Sequence, residues 1–302
     1  MDSPKISVVM PAYNHELFVA EAIESVLMQS FSDFEFIIIN DGSQDGTADI
    51  IKQYTDSRIV CYYQENAGSH AAINKGLSLA KGDYVSIINS DDLYRCNRLE
   101  VLYNKAVNDK LDFLVTDLTL IDRNSDAITD TGHIWIKWYE GLKDVYRKTP
   151  SPLMAILAGN YTISTSNFFF RRSIIGKIGY LSSLKYTLDY EYAIRAMEFN
   201  EKGFFFLVDT PLFFYRLHGD NTILKDPVAA HLEAYTLVAD ALKHTYGADI
   251  APAIDHLTEM TLAIKTLCEG HMGFSVKRYI KKYIKPGTTL FKLAKAISAV
   301  TG

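Results

Sequence analysis

The sequence predicts an α/β protein built on a mostly parallel sheet with helices on its faces, and three observations predict it. Short runs rich in β-branched and aromatic residues alternate with segments of helical period through residue 89, the mark of βαβ units. The first helical segment carries Val19, Ala22, Ile23, Val26 and Leu27 at i, i+3, i+4, i+7 and i+8, a single stripe for burial. Polar loops follow the strands at Pro11–His15, Asp41–Gly46, Gln64–Ser69 and Ser90–Tyr94. In an open α/β sheet the loops beyond the carboxyl ends of the strands form the ligand crevice.

Taken in order, strands are expected at Ile6–Met10, Glu35–Asn40, Arg58–Tyr63 and Tyr84–Asn89, with helices at Glu16–Gln29, Thr47–Tyr54 and His70–Ala80 between them. From Leu111 to Arg216 the pattern is mixed. Strands are expected at Phe113–Thr116, Ser164–Phe170 and Phe204–Phe206, a helix at Asp189–Phe199, and a loop around Trp135–Tyr139. From Pro227 onward the sequence reads as helical, near Val228–Thr245, Ala251–Cys268, Ser275–Ile284 and Thr289–Ala299. The aromatics Trp135, Trp138 and Tyr139 suit either a sugar-stacking wall for an acceptor or burial in a core.

At 302 residues with 48% hydrophobic content the chain can fill a sizeable core. Its formal net charge of −5 argues against nucleic acid as the main partner, because a phosphate backbone selects a basic face. Three widely spaced cysteines, Cys61, Cys96 and Cys268, suit neither a disulfide framework nor a thiolate metal site. The start, Met1-Asp2-Ser3-Pro4-Lys5, lacks the features of a signal peptide. No run approaches the roughly 18 apolar residues of a membrane span. The expectation is a cytoplasmic protein, peripheral at a membrane at most.

Charge is unevenly placed. Beyond Glu269 there is no acidic residue, and Lys277, Arg278, Lys281, Lys282, Lys285, Lys292 and Lys295 carry +7, which leaves −12 for the remainder. Within Ser275–Ile284, Val276, Tyr279, Ile280 and Tyr283 fall at helical spacing between basic flanks. That is the pattern of an interfacial anchor on an anionic membrane surface, and residues 270–302 are its candidate. Packing of the same helices on the acidic body of the molecule, or on a second subunit of a homo-oligomer, is the competing reading.

Two acidic loops carry the chemistry. Asn40-Asp41-Gly42-Ser43-Gln44-Asp45-Gly46 follows one apolar strand and Asn89-Ser90-Asp91-Asp92 another. Aspartates cap helices and make turns everywhere. Two such loops at one sheet edge, however, suit a hard divalent cation that bridges carboxylates to a diphosphate.

With Ile6-Ser7-Val8-Val9-Met10-Pro11-Ala12-Tyr13-Asn14, Asn66-Ala67-Gly68, Asn74-Lys75-Gly76, Gly82-Asp83-Tyr84, Asp189-Tyr190-Glu191 and Tyr215-Arg216-Leu217-His218 in the same order, the chain resembles an inverting family-2 glycosyltransferase of the GT-A fold. The resemblance covers roughly residues 5 to 222. It implies a GT-A catalytic domain over 1–222, a Rossmann-like nucleotide-diphospho-sugar transferase fold. Residues 1–110 would form the nucleotide-sugar half and 111–222 the acceptor and base half, with a helical extension over 223–302.

It further implies that Tyr13 stacks near the nucleotide base beside Pro11 and Ala12, that Asp41 meets the base or ribose, and that Asn66 and Gly68 line the nucleotide-sugar site. Asp91 would face the ribose and metal region, Asp92 would be the principal ligand of Mn2+ or Mg2+, and His218 would reach the metal or diphosphate. Asp189 matches the general base, which takes the acceptor hydroxyl's proton as that oxygen displaces the nucleoside diphosphate with inversion. The implied partners are a nucleotide-diphospho-sugar donor and a glycan or lipid-linked glycan acceptor, in bacterial-type polysaccharide or glycolipid assembly.

Each residue also has a plainer reading. Asp189 suits a first-turn helix charge, Tyr13 a packing residue and His218 a surface loop. The chain departs from the family pattern at Asn40 and Asn89, where charge is lost, at Ile73, where a cationic residue is common, and at Leu188, where an acid is common. No Gly-x-Gly-x-x-Gly follows the first strand and no Gly-x-x-x-x-Gly-Lys-Ser/Thr occurs, which argues against dinucleotide oxidoreductases and P-loop NTPases. A catalytically inactive nucleotide-sugar-binding or scaffolding module is the rival from another class, and retention of Asp92 with Asp189 argues against it.

Overall fold

The computed structural model describes residues 3–219 and 221–246. Strand β1 spans Ile6–Ala12 and helix α1 Val19–Leu27, followed by β2 (Phe34–Asp41), α2 (Thr47–Ile51), β3 (Ile59–Gln64), α3 (Ser69–Leu79) and β4 (Tyr84–Ile87). Next come β5 (Leu93–Tyr94), α4 (Arg98–Asn108), β6 (Phe113–Ile121), α5 (Ile134–Lys148), α6 (Pro152–Ala158), β7 (Phe169–Arg171) and α7 (Ile175–Ile178). Helix α8 (Leu188–Asn200), strand β8 (Phe204–Arg216), α9 (Thr222–Lys225) and α10 (Pro227–Tyr246) complete the order.

The strands form one sheet in the order β3-β2-β1-β4-β7-β6-β8-β5. β1 to β4 run parallel, β7 runs antiparallel to β4 and β6, and β6 runs parallel to β8. Among the described residues six strands therefore point the same way, and β7 and β5 oppose them. All seven residues of β1 are buried, as a parallel strand covered on both faces requires. The carboxyl ends of β1, β2, β4 and β8 share one edge. Because β7 is reversed, the segment just before it, Ser164–Phe168, reaches the same edge.

Contacts divide the chain into two units. The first comprises Met1–Thr129, Thr162–Leu184 and Leu188–Gly219 and holds the whole sheet. The second comprises Asp130–Tyr161, Lys185–Thr187 and Asp220–Gly302. Within it α6 packs on α5 and α10, and Tyr146 meets Tyr161 at 5.1 Å between ring centroids. Glu233 of α10 accepts bonds from the backbone amides of Tyr186 (2.7 Å) and Thr187 (2.8 Å).

Three expectations change. Trp135–Tyr139 lies in α5 rather than a loop, begun by His133, whose ring Nδ1 accepts the Trp135 amide. The strand expected over Ser164–Phe170 starts later, at Phe169, because Ser164 caps a 3-10 turn over Thr165–Asn167. The strand expected over Phe204–Phe206 continues to Arg216. The helices expected at Ala251–Cys268, Ser275–Ile284 and Thr289–Ala299 lie outside the described residues. Among the described residues no helix is long and apolar enough to cross a membrane.

Candidate active site

The loops after β1 and β2 are laced to one another by side chains standing in for backbone partners. Asn14 adopts a left-handed φ of 52° after β1 and donates its amide to Ser43 Oγ, while its Oδ1 accepts the Gln44 amide at 2.8 Å. The His15 amide donates to Thr47 Oγ1 (2.8 Å), and Glu16 Oε2 accepts the Gly46 amide (2.7 Å). Such closed accounting of turn amides fixes where Tyr13 and His15 stand. Pro11 and Ala12 are the buried last residues of β1, and Tyr13 beyond them is 41% exposed.

Asp41, buried at the end of β2, reaches across to the loop before α3. Its Oδ1 accepts Gln64 Nε2 (2.7 Å) and the Ala67 amide (3.0 Å), and its Oδ2 accepts the Gly68 amide (2.9 Å). Gly42 lies so near that a Cβ there would stand 2.7 Å from the Asn66 nitrogen, at a φ of +72°. Asn66 is exposed beside this clamp.

The acidic pair divides its work. Asp92 is 1% exposed; its Oδ2 accepts the Ser166 hydroxyl (2.6 Å) and its Oδ1 the Arg216 amide (2.9 Å). Asp91 turns the other way, its Oδ2 3.0 Å from His218 Nε2 and 3.9 Å from His15 Nε2. One ligand atom each from His15, Asp91 and His218 lies within 4.8 Å of the other two, a group of a size to hold a metal ion.

Burial acts to raise the Asp91 carboxyl, but the His15 charge and the His218 hydrogen bond hold it below the ordinary carboxylate range. Burial and the Asp91 charge push Asp92 well above that range, and the Ser166 and Arg216 bonds offset this only in part. Asp91 is thus the member that carries charge readily.

Arg216 braces the pair. Fully buried, it donates Nε to the Asp91 carbonyl (2.7 Å), Nη1 to Ser125 Oγ (2.8 Å) and Nη2 to Glu21 Oε2 (2.9 Å). Beneath lies Arg98, also fully buried, whose Nη1 donates to Thr116 Oγ1 (2.7 Å) and Nη2 to the Asn167 carbonyl (2.9 Å). Asn89 of the same acidic loop is bonded to Ser164 and Thr165.

Asp189 sits in the first turn of α8 and is 8% exposed. Helix α8 leads into β8, whose start pairs with the start of β6 at the amino edge of the sheet, so the Asp189 end of the helix lies toward the carboxyl edge. Burial first, then the charges of Asp92, Asp91 and Asp189, push the Tyr215 hydroxyl well above its ordinary range.

The structure therefore brings Asp91, Asp92 and His218 together and points the first turn of α8, with Asp189, toward the same edge. It adds His15, Ser166 and Arg216, which the sequence reading did not single out for this site. His15 carried one signal, its place as the last residue of the polar Pro11–His15 loop. Ser166 carried none, since it meets Asp92 across 74 residues of chain.

Residues 7–179 match the family described as Glycosyl transferase family 2. An uncharacterized glycosyltransferase of Rickettsia typhi is 34% identical over 196 residues, which is 63% of this chain and 57% of that protein. The chain thus spans a little over half the length of that relative. Among solved structures, Staphylococcus aureus TarS residues 1-349 with UDP-GlcNAc align at a TM-score of 0.61 and 20% identity over 98% of this chain and 81% of TarS. A mannosyltransferase of Pyrobaculum calidifontis with GDP-Man and Mn2+ aligns at 0.58 and 12% identity over 100% and 87% of the two chains.

Proposed function

The chain belongs to glycosyl transferase family 2, and from that premise we propose that it transfers a sugar from a nucleoside diphosphate donor to an acceptor hydroxyl with inversion. The observation that carries this reading is the carboxyl-edge cluster, in which the Asp91 carboxylate faces His218 at 3.0 Å and His15 at 3.9 Å. Tyr13 stacks the nucleotide base on its exposed face, and Asp41 holds the Asn66–Gly68 loop against the nucleotide. That the two structural neighbours were solved with UDP-GlcNAc and with GDP-Man supports a nucleotide-sugar donor.

A divalent cation, Mn2+ or Mg2+, fits the donor set: an Asp91 oxygen and a His218 nitrogen 3.0 Å apart, on loops fixed by Arg216. In this reading Asp91 and His218 bind it, and Asp92, expected from the sequence as the principal ligand, instead buttresses the loop, since its oxygens face Ser166 and the Arg216 amide while Asp91 faces the two histidines. When bound, the cation supplies positive charge against the diphosphate leaving group. Asp189 takes the acceptor hydroxyl's proton as that oxygen attacks the anomeric carbon from the opposite face.

The acceptor is read as a glycan or lipid-linked glycan of polysaccharide or glycolipid assembly at the cytoplasmic face of a membrane. The basic segment 270–302 would hold the protein to anionic lipid there, or meet a second subunit.

A panel of nucleotide sugars, screened by thermal shift with Mn2+ present and then by release of nucleoside diphosphate, tests the reading. A cognate donor should raise the melting temperature by mass action and be turned over. Stabilisation without release by any donor, with or without candidate glycan acceptors, would leave only a binding module.

A further inference from the structure

The first loop contributes to the cluster as well as to the nucleotide side. We propose that His15 is a third ligand of the cation site, so that His15, Asp91 and His218 form a two-imidazole, one-carboxylate set that prefers Mn2+ and Co2+ over Mg2+. This rests on the reading of Asp91 and His218 as cation ligands.

The geometry around His15 is that of a ligand with its second partner in place. Ser90 Oγ stands 2.8 Å from Nδ1, which leaves Nε2 as the nitrogen facing Asp91. Metal-ligating histidines carry such a partner on the far ring nitrogen, which fixes tautomer and ring orientation. The 3.9 Å between His15 Nε2 and Asp91 Oδ2 is too long for a hydrogen bond. It suits two ligands on one ion, since donors at about 2.1 Å from a shared cation stand roughly 3 to 4 Å apart. The His15 main chain is held by its amide's bond to Thr47 Oγ1, and the ring is held by the Ser90 hydroxyl at Nδ1.

The donor set then sets the preference. Mg2+ takes oxygen ligands in a strict octahedron and parts with water reluctantly, whereas imidazole nitrogen binds the transition metals with affinity that rises from Mn2+ through Fe2+ and Co2+ to Ni2+. Two nitrogens and one oxygen place this site on the transition-metal side and leave further positions for diphosphate oxygens. The same histidine joins the loop that carries Tyr13 to the cation, so base recognition and cation binding share a rigid support.

Metal binding to the full chain, without donor, tests the proposal. Calorimetric titration should give tighter binding of Co2+ and Mn2+ than of Mg2+, and His15→Ala should weaken Co2+ by at least about tenfold with a smaller effect on Mg2+. Pulsed EPR of bound Mn2+ should register two imidazole nitrogens in the wild type, a count that needs no variant to fold. One imidazole in the wild type, or Co2+ affinity unchanged in His15→Ala while Asp91→Asn loses it, overturns the role of His15 and leaves the two-residue site standing. Wild-type metal affinity in His15→Ala, Asp91→Asn and His218→Ala alike overturns the cation site itself.

Discussion

Adjacent aspartates at one strand end have opposite surroundings here, and what separates them is which neighbours reach each oxygen. Asp91 meets two histidines, and Asp92 is enclosed by Ser166 and Arg216. The sign of the pH dependence follows. Asp91 is depressed, so its contribution is present above the ordinary carboxylate range and lost as pH falls through its folded value. Asp92 is raised by burial and by the Asp91 charge, so its contribution belongs to the protonated form and is lost as pH rises through its folded value. Asp92→Asn removes the second loss. In metal-free protein its melting temperature, relative to the wild type, should climb as pH rises; a flat difference across calorimetric scans refutes the division. Asp41→Ala would strip the Ala67 and Gly68 amides of their acceptor, at a cost of about 1–3 kcal/mol in urea unfolding. The acidic pair was legible in the sequence as residues at a strand end. Which of the two faces the histidines was not, because the decision lies with Ser166 and with Arg216, 124 residues away.

At the scale of elements, the parallel half of the sheet could be read directly, since β1 and β2 are apolar runs closed by polar turns. The other half was harder for physical reasons. Strand β8 passes through Pro211, which lacks a ladder donor and argues against a long strand. The sheet accepts it where the register with β6 shifts at Asp117, and the strand then delivers Tyr215 and Arg216 to the site. Helix α5 was missed because its aromatics suit a loop wall as well as a helix face. The close seating of α3 on β1 gives a prediction in which two effects oppose. Alanine at Gly76 gains up to about 1 kcal/mol of helix propensity. Its Cβ, however, would stand 2.3 Å from Val9 Cγ1 on the fully buried β1. Overpacking of that kind costs about 1–3 kcal/mol, so Gly76→Ala should unfold at lower urea than the wild type. A more stable variant would show that α3 can shift away from the sheet.

For the whole molecule, composition fixed the broad class and charge separation marked the tail. The basic segment should bring the full chain up with anionic vesicles in flotation at low salt and release it at high salt. A chain ending at Gly270 should stay behind; equal behaviour of the two would make the tail structural. The expected order of strands and loops puts the acidic residues at the carboxyl edge, where such sheets leave backbone and side chains open to a ligand, and the candidate cluster lies there. The central claim is single-displacement sugar transfer with Asp189 as base. It is tested most directly by NMR of the product from the cognate donor and acceptor, comparing wild type with Asp189→Asn. The account predicts an inverted anomeric centre, and in the variant unchanged donor affinity with transfer slower by about 10²- to 10⁴-fold. A retained configuration, or wild-type transfer by Asp189→Asn, would contradict it.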